Sequence, residues 1–259
     1  MNEKWFDLVN KLYCVLELER CAVGVRLLRT KEEYEKTEAI SLKRPINYCQ
    51  MVAAATKGNC IKAKKEDFKC KSGVRVLGID PTDLTNSHGE NWVRLGLYQD
   101  AEVAGTIRKE LVYLTEPCYG VSLAPIEKMK DFPDVVILVV NPYNSMRLIQ
   151  GYAYSYGMPK SINMIGNQAI CLECTARPIG MKDLNTSMLC IGTRHRAGWR
   201  DDEMAVGVPG EQFASVVNGL MQTLNQMEND SNKKIIDQKF QKYEIPFEIR
   251  YGYNYYMDC

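Results

Sequence analysis

The order of apolar periods along the chain predicts an α/β (or α+β) protein, a mixed sheet flanked by helices. Three observations carry this. Trp5, Leu8, Val9, Leu12, Val15 and Leu16 recur at helical spacing, which marks residues 3–18 as an amphipathic helix. The run Asp134 to Val140 (DVVILVV) is unbroken and β-branched, as in a strand buried on both faces. It passes through Asn141-Pro142 into a long helix, Asn144 to Tyr156, closed by Gly157.

The remaining elements follow in order. Ala22 to Leu28 reads as a strand, and Thr30 with Glu33 as the capping box of a short helix through Tyr34. Pro45 introduces a helix from Asn47 to Thr56, closed by Gly58, and Cys60 to Ala63 forms the next strand. Val74 to Ile79 is apolar and ends in a DPTD turn, and Asn91 to Tyr98 and Ala101 to Lys109 look helical. Tyr119 to Ala124 is a strand, followed by a short helix from Pro125 to Glu127. Further strands are expected at Ser161–Ile165, Ala169–Cys174, Met188–Ile191 and Met204–Val208, and a last helix at Gly210–Met227.

These elements place one α/β domain in residues 1–227. Residues 228–234 (ENDSNKK) read as a polar linker, and the Tyr-rich tail from Tyr243 to Tyr256 as a surface that packs on the body or on a second subunit. A strand that finishes the domain is the other reading of the tail. Pro45-x-Asn47 and Pro142-x-Asn144 each lead into a helix, a strand and then a cysteine. That order suggests two pseudo-repeated strand–helix–strand halves with a site between them.

Composition narrows the functional classes. With 46% hydrophobic residues among 259, the chain can bury a full core. The 33 Lys plus Arg against 32 Asp plus Glu give no basic excess, so nucleic acid is not an expected partner. The basic run Lys62 to Lys71 is interrupted by Glu66 and Asp67 and reads as a solvated surface. Charges throughout Met1 to Arg20 leave no signal-peptide core, and Val135 to Val140 is too short to span a bilayer. A soluble cytoplasmic protein without a membrane partner is expected.

Ten cysteines in such a chain are therefore expected to be reduced. Cys14, Cys21, Cys60 and Cys118 fit packing roles, and Cys259 is terminal. The others have more specific settings. Cys49 lies in the first turn of its helix, where free N–H groups and the dipole favour thiolate. Cys70 precedes Ser72 and Gly73, which permit a tight turn with exposed N–H groups. Cys171 and Cys174 form C-x-x-C, a spacing that lets two sulfurs meet one metal. Cys190 is expected at a strand end before Gly192.

This set points to a thiolate-ligated metal centre. A zinc ribbon needs a second C-x-x-C, and covalent haem needs C-x-x-C-H; neither is present. The compact ferredoxin run is absent too. Ligands scattered along the chain suit an iron–sulfur cluster held between elements, with a mononuclear metal or structural cysteines as alternatives. His195, in the loop Thr193-Arg-His-Arg-Ala-Gly198, is a candidate proton donor or ligand, and Arg194 and Arg196 are candidates for binding a carboxylate or phosphate. His88 belongs to a polar loop and is expected to face solvent. No Walker A, G-x-G-x-x-G, G-x-S-x-G or H-E-x-x-H pattern supports nucleotide, serine-hydrolase or zincin chemistry.

The chain resembles domain-of-unknown-function family 169 of archaea and anaerobic bacteria over about residues 8–217. The resemblance rests on Ala22-Val-Gly-Val25, the helix Cys49 to Gly58, Cys70-x-x-Gly73 with Leu77-Gly78, and Pro133-Asp-Val-Val136 leading to Pro142. It continues through Cys171, Cys190-x-Gly-x-Arg194 and Asp202 to Pro209. It implies that Cys49, Cys70, Cys171 and Cys190 occupy the family's cysteine positions, with Cys174 in reserve. Lys71 and Ser72 stand where Pro-Gly is commoner, so a different local turn is expected.

The resulting expectation is a [4Fe–4S] protein with ligands Cys49, Cys70, Cys171 and Cys190, acting on a small molecule near Arg194 and His195 by reductase-like electron transfer. An electron-donor protein and a homo-oligomer formed through the tail are possible partners. The alternatives are a cluster-dependent lyase or dehydratase with one open iron, and a metal-free binding or accessory protein.

Overall fold

In the computed structural model, which describes residues 3–81, 89–160 and 162–252, seven strands form one mixed sheet. They are β1 (Val23–Leu28), β2 (Ile40–Ser41), β3 (Ile61–Lys64), β4 (Gly120–Pro125), β5 (Val135–Val140), β6 (Asn185–Ser187) and β7 (Met204–Pro209). Their order across the sheet is β2-β3-β4-β1-β5-β7-β6. The two-residue β2 runs parallel to β3, and every other pairing is antiparallel.

Side chains alternate across a strand, so each strand feeds two cores. Val135, Ile137 and Val139 of β5 face one apolar cluster, and Val136, Leu138 and Val140 face the other. β5 is thus buried on both faces as expected, although its neighbours β1 and β7 are antiparallel to it. Burial here comes from helices on both sides of the sheet rather than from parallel pairing.

The first face carries α3 (Tyr48–Ala55), α4 (Lys71–Val76), a π-helix (Ala169–Ala176) and α9 (Ile191–Ala197). Helices α1 (Glu3–Val15), α7 (Pro142–Tyr156), α10 (Gly210–Met227) and α11 (Asp230–Lys242) close the second. Shorter helices α2 (Lys31–Lys36), α5 (Glu90–Arg94), α6 (Ala101–Glu110) and α8 (Arg177–Met181) line the edges and connections.

Local signals act where they stand. Thr30 Oγ1 accepts from Glu33 N at 3.1 Å, and the Glu33 carboxylate accepts from Thr30 N at 3.3 Å, which is the expected capping box. Asn141 Oδ1 accepts from Asn144 N at 2.8 Å and starts α7 with Pro142 as its first residue. Gly157, at φ +74°, ends that helix. α7 and α10 approach closely at two glycines. A Cβ on Gly151 would lie 2.7 Å from the Val216 carbonyl oxygen, and one on Gly219 would collide with the Gly151 carbonyl.

Four expectations are corrected. Residues 162–165 form no strand, Ser161 lying outside the described residues. Ala169–Cys174 belongs to the π-helix; nearly all of its residues are buried, so the apolar run has no exposed face by which to tell a buried helix from a buried strand. The strand expected at Met188–Ile191 is replaced by β6 three residues earlier, with Cys190 capping α9. Residues 228–234 are no linker: Asn229 Oδ1 caps α11 through Asn232 N at 2.9 Å, and Glu228 is buried.

The paired-halves reading fails as well. α3 lies on the first face and α7 on the second, and no strand separates α7 from Cys171 among the described residues. The described part of the tail packs on the body. Ile245, Phe247 and Ile249 join the second core, and Lys233 Nζ holds the Arg250 carbonyl at 2.8 Å. Residues 253–259, including Cys259 and the tail's last tyrosines, lie outside the described residues. No described helix is long and apolar enough to cross a membrane.

Candidate metal centre

Each of the four cysteines sits at the start of a helical segment. Cys49 is the second residue of α3, whose N-cap Asn47 donates its backbone N–H to Gln50 Oε1 at 3.0 Å. Cys70 is the N-cap of α4 and Cys190 the N-cap of α9. Cys171 is the third residue of the π-helix. The tight turn expected after Cys70 is therefore the first turn of α4, with Lys71 at the position where proline is favoured.

Backbone pairing draws two of these segments together. Ile46 N donates to the Asp67 carbonyl at 3.0 Å, and Lys69 N donates to the Ile46 carbonyl at 2.9 Å, so the residues leading to Cys49 run beside those leading to Cys70. Tyr48 stacks on Phe68 with centroids 6.2 Å apart, and its hydroxyl meets Thr175 Oγ1 of the π-helix at 3.2 Å. α9 packs on α3 from the other side.

The electrostatics reveal the result. Burial foremost, and then the Cys70 and Cys190 sulfurs, push the Cys49 thiol up to about 11. Burial raises Cys171 well above the ordinary thiol range, with Cys70, Cys190 and Cys49 as further causes. Four sulfurs separated by up to most of the chain length thus feel one another on one face of the sheet. All four are partly buried and border the first core.

The immediate surroundings accept sulfur. Thr193 N donates to Cys190 Sγ at 3.4 Å, and Thr193 Oγ1 lies 2.9 Å from the same sulfur. The backbone N–H groups of Gln50 and Leu172 favour the charged forms of Cys49 and Cys171. A Cβ on Gly73 would stand 3.1 Å from Cys70 Sγ, so a side chain there would crowd that sulfur. Thr193 escaped the sequence reading because Cys is not a usual N-cap residue, so nothing local marked Cys190 as the start of a helix with Thr193 in its first turn.

Cys174 takes no part in this group. It is fully buried, and its neighbours are Glu173 and Ser187. In a π-helix hydrogen bonds span five residues, so positions three apart do not share a face as a C-x-x-C pair on one metal would. Cys118 is also buried and donates to the Gly120 carbonyl at 2.8 Å, and Cys14 lies in the core on the opposite face of the sheet. Among the described residues, no three His, Cys, Asp or Glu side chains are arranged around a single metal ion. The four thiols are neighbours without forming the ligand sphere of one ion.

The basic residues divide. Arg194 gives its guanidinium to backbone: to the Met188 carbonyl at 2.8 Å, to the Glu203 carbonyl at 3.0 Å and to the Arg200 carbonyl. It closes the loop around Cys190. His195 and Arg196 are exposed on α9, and Arg196 favours the thiolate of Cys49. His88 lies outside the described residues.

Behind the thiols stands a buried polar brace absent from the sequence reading. Glu173 accepts from Ile165 N at 2.7 Å and from the Ser187 hydroxyl, and burial raises its carboxyl. Asn185 Nδ2 binds the Glu173 carbonyl at 2.8 Å and the Asn163 carbonyl at 3.0 Å. This brace ties the loop before the π-helix to β6 and fixes the segment that carries Cys171. A cavity of about 380 Å³ bordered by Arg26, Glu38, Cys60, Ser122 and Lys130 lies elsewhere, and none of the four cysteines lines it.

Comparison with known proteins agrees with the residue order. Residues 11–219 match the family DUF169, described as uncharacterised ArCR, COG2043. An uncharacterised protein of Methanocaldococcus jannaschii, MJ0308, is 26% identical over 216 residues, covering 82% of this chain and 91% of that protein. No solved structure matches the chain. Since the family match spans most of the sequence, the chain belongs to domain-of-unknown-function family 169.

Proposed function

We propose that Cys49, Cys70, Cys171 and Cys190 hold a [4Fe–4S] cluster and that the protein uses it for electron transfer to a small molecule. The observation behind this reading is the mutual influence of the four thiols, drawn together from four segments at the border of the first core, while Cys118 and Cys174 are buried inside that core and Cys14 lies in the second. A four-iron cluster keeps its thiolates further apart than one ion does, which suits neighbouring sulfurs that do not converge on a point. When bound, it would supply one-electron chemistry at low potential.

The chain's own residues have distinct tasks in this reading. N–H groups at the helix starts and the Thr193 hydroxyl offset thiolate charge. Gly73 keeps room beside Cys70. Arg194 fixes the Cys190 loop, so the anion-binding role passes to Arg196, with His195 beside it as proton donor. With four thiolates every iron is saturated, which favours electron transfer over the lyase alternative.

Anaerobic purification tests this. Brown protein with about four iron and four sulfide per chain is expected. Colourless protein that takes up no iron on anaerobic reconstitution overturns the reading in favour of structural cysteines.

A further inference from the structure

The protein as a whole is nearly neutral, yet the segments that carry three of the thiols are not. Residues 43–50, 69–75 and 190–196 contain no Asp or Glu. Lys43, Arg44, Lys69, Lys71 and Arg196 are all exposed there. None of the five has an ion-pair partner among the described residues. Of the acids close in sequence, Asp67 accepts from Lys64 N at 2.9 Å, Glu66 faces Lys64 at 3.9 Å, Asp80 faces Lys65 at 2.7 Å and Asp202 faces Arg200 at 2.9 Å. The parallel Ile46–Phe68 bridge sets Lys69 beside Ile46, in the segment that follows Lys43 and Arg44, and Arg196 acts on Cys49 from α9. Together they form a basic rim around the cysteines.

Beside Cys190 in the chain are exposed apolar side chains. Ile191, next to Cys190, is 69% exposed, and Met188 is 57% exposed. An apolar centre with a charged border is the make-up of a protein-docking surface, and unpaired like charges at its edge steer an oppositely charged partner. A single-stranded nucleic-acid site would call for a row of aromatic stacking platforms instead, and these segments expose no Phe, Tyr or Trp and a single His195.

We infer that this face docks an acidic electron-carrier protein, with Lys43, Arg44, Lys69, Lys71 and Arg196 meeting its carboxylates and Ile191 and Met188 its apolar centre. The inference rests on the cluster reading for the carrier's role; the docking surface itself rests on charge and exposure. In the exchange one electron leaves the reduced carrier, which is oxidised by one electron, and enters the cysteine-held centre, which is reduced by one. Such encounters bury little area and depend on steering.

The test is binding of a small acidic ferredoxin and of a flavodoxin to the full chain, by calorimetry at low and at physiological salt. The inference expects binding that weakens at least tenfold in the charge reversal K69E/K71E/R196E, by a smaller factor in K69Q/K71Q, and steeply with salt. Thermal melts of the variants, whose changed side chains are all exposed, verify folding. Absence of binding to both carriers, or binding unaffected by the reversal, overturns it. So does tighter binding of a single-stranded RNA with the same charge sensitivity. Colourless protein that still binds the carriers leaves the surface standing and removes the cluster; brown protein that binds neither does the reverse.

Discussion

Arg147 and Glu228 form an ion pair, Nε to Oε1 at 2.9 Å, in which both side chains are almost wholly buried. Arg147 also reaches Gln150 at 3.0 Å and Thr223 at 3.2 Å, and Tyr143 donates to the second Glu228 oxygen at 2.8 Å. The pair joins α7 to the junction of α10 and α11. Removing one partner strands a buried charge, so Glu228→Gln and Arg147→Met should each cost about 3–5 kcal/mol in urea unfolding, while Arg147→Met with Glu228→Leu recovers part of it.

Iron content should sort the cysteines. Alanine at Cys49, Cys70, Cys171 or Cys190 is expected to lower iron per chain severely, and alanine at Cys174 to leave it unchanged while lowering the thermal midpoint. Loss of iron in the Cys174 variant with retention in the Cys171 variant would reverse the assignment made from the π-helix.

Thiol protonation gives a pH signature for the cluster-free protein. Burial and neighbouring sulfurs raise Cys49 from its ordinary 9.0 to about 11 in the folded state. The folded chain therefore keeps a proton that the unfolded chain loses above pH 9. This contribution to stability is complete below pH 9 and disappears as pH climbs to about 11. Denaturant midpoints should fall across that window, and less so in Cys49→Ser. Metal loading displaces the same protons, so proton release in unbuffered solution should accompany it.

Gly219→Ala is the sharpest test of helix packing. Its methyl would enter the Gly151 carbonyl, so α7 and α10 must separate. A loss of about 1–3 kcal/mol or more is expected. Ala at Gly192, where a Cβ meets nothing within 4 Å, should be nearly neutral.

Much of the fold was legible in local chemistry. β1, β5, β7, α1, α2, α7 and α10 all follow from period or from cap residues, Thr30 for α2 and Asn141 for α7. The misses share a cause. Ala169–Ala176 is buried nearly all round, and a segment without an exposed face has no period to read. α11 is polar except for a narrow stripe through Ile236 and Phe240, so its first residues, within 228–234, looked like a linker, although Asn229 carried its start signal. Strand order depends on long-range pairing that no local pattern encodes.

The candidate site was legible in composition but not in geometry. The family order of cysteines selected Cys49, Cys70, Cys171 and Cys190, and the fold places them on one face. C-x-x-C misled because its meaning depends on the backbone beneath it, and Arg194 because its donors go to carbonyls the sequence does not show near it.

The two cores on either side of the sheet divide the protein's biogenesis as well as its volume. The one beneath α1, α7, α10 and α11 contains none of the four thiols, and its helices are closed by Arg147, Glu228 and the tail. Under the cluster proposal, protein made without iron is therefore expected to keep this core, and limited proteolysis of that form checks it. Iron starvation would then yield an empty scaffold rather than an unfolded chain.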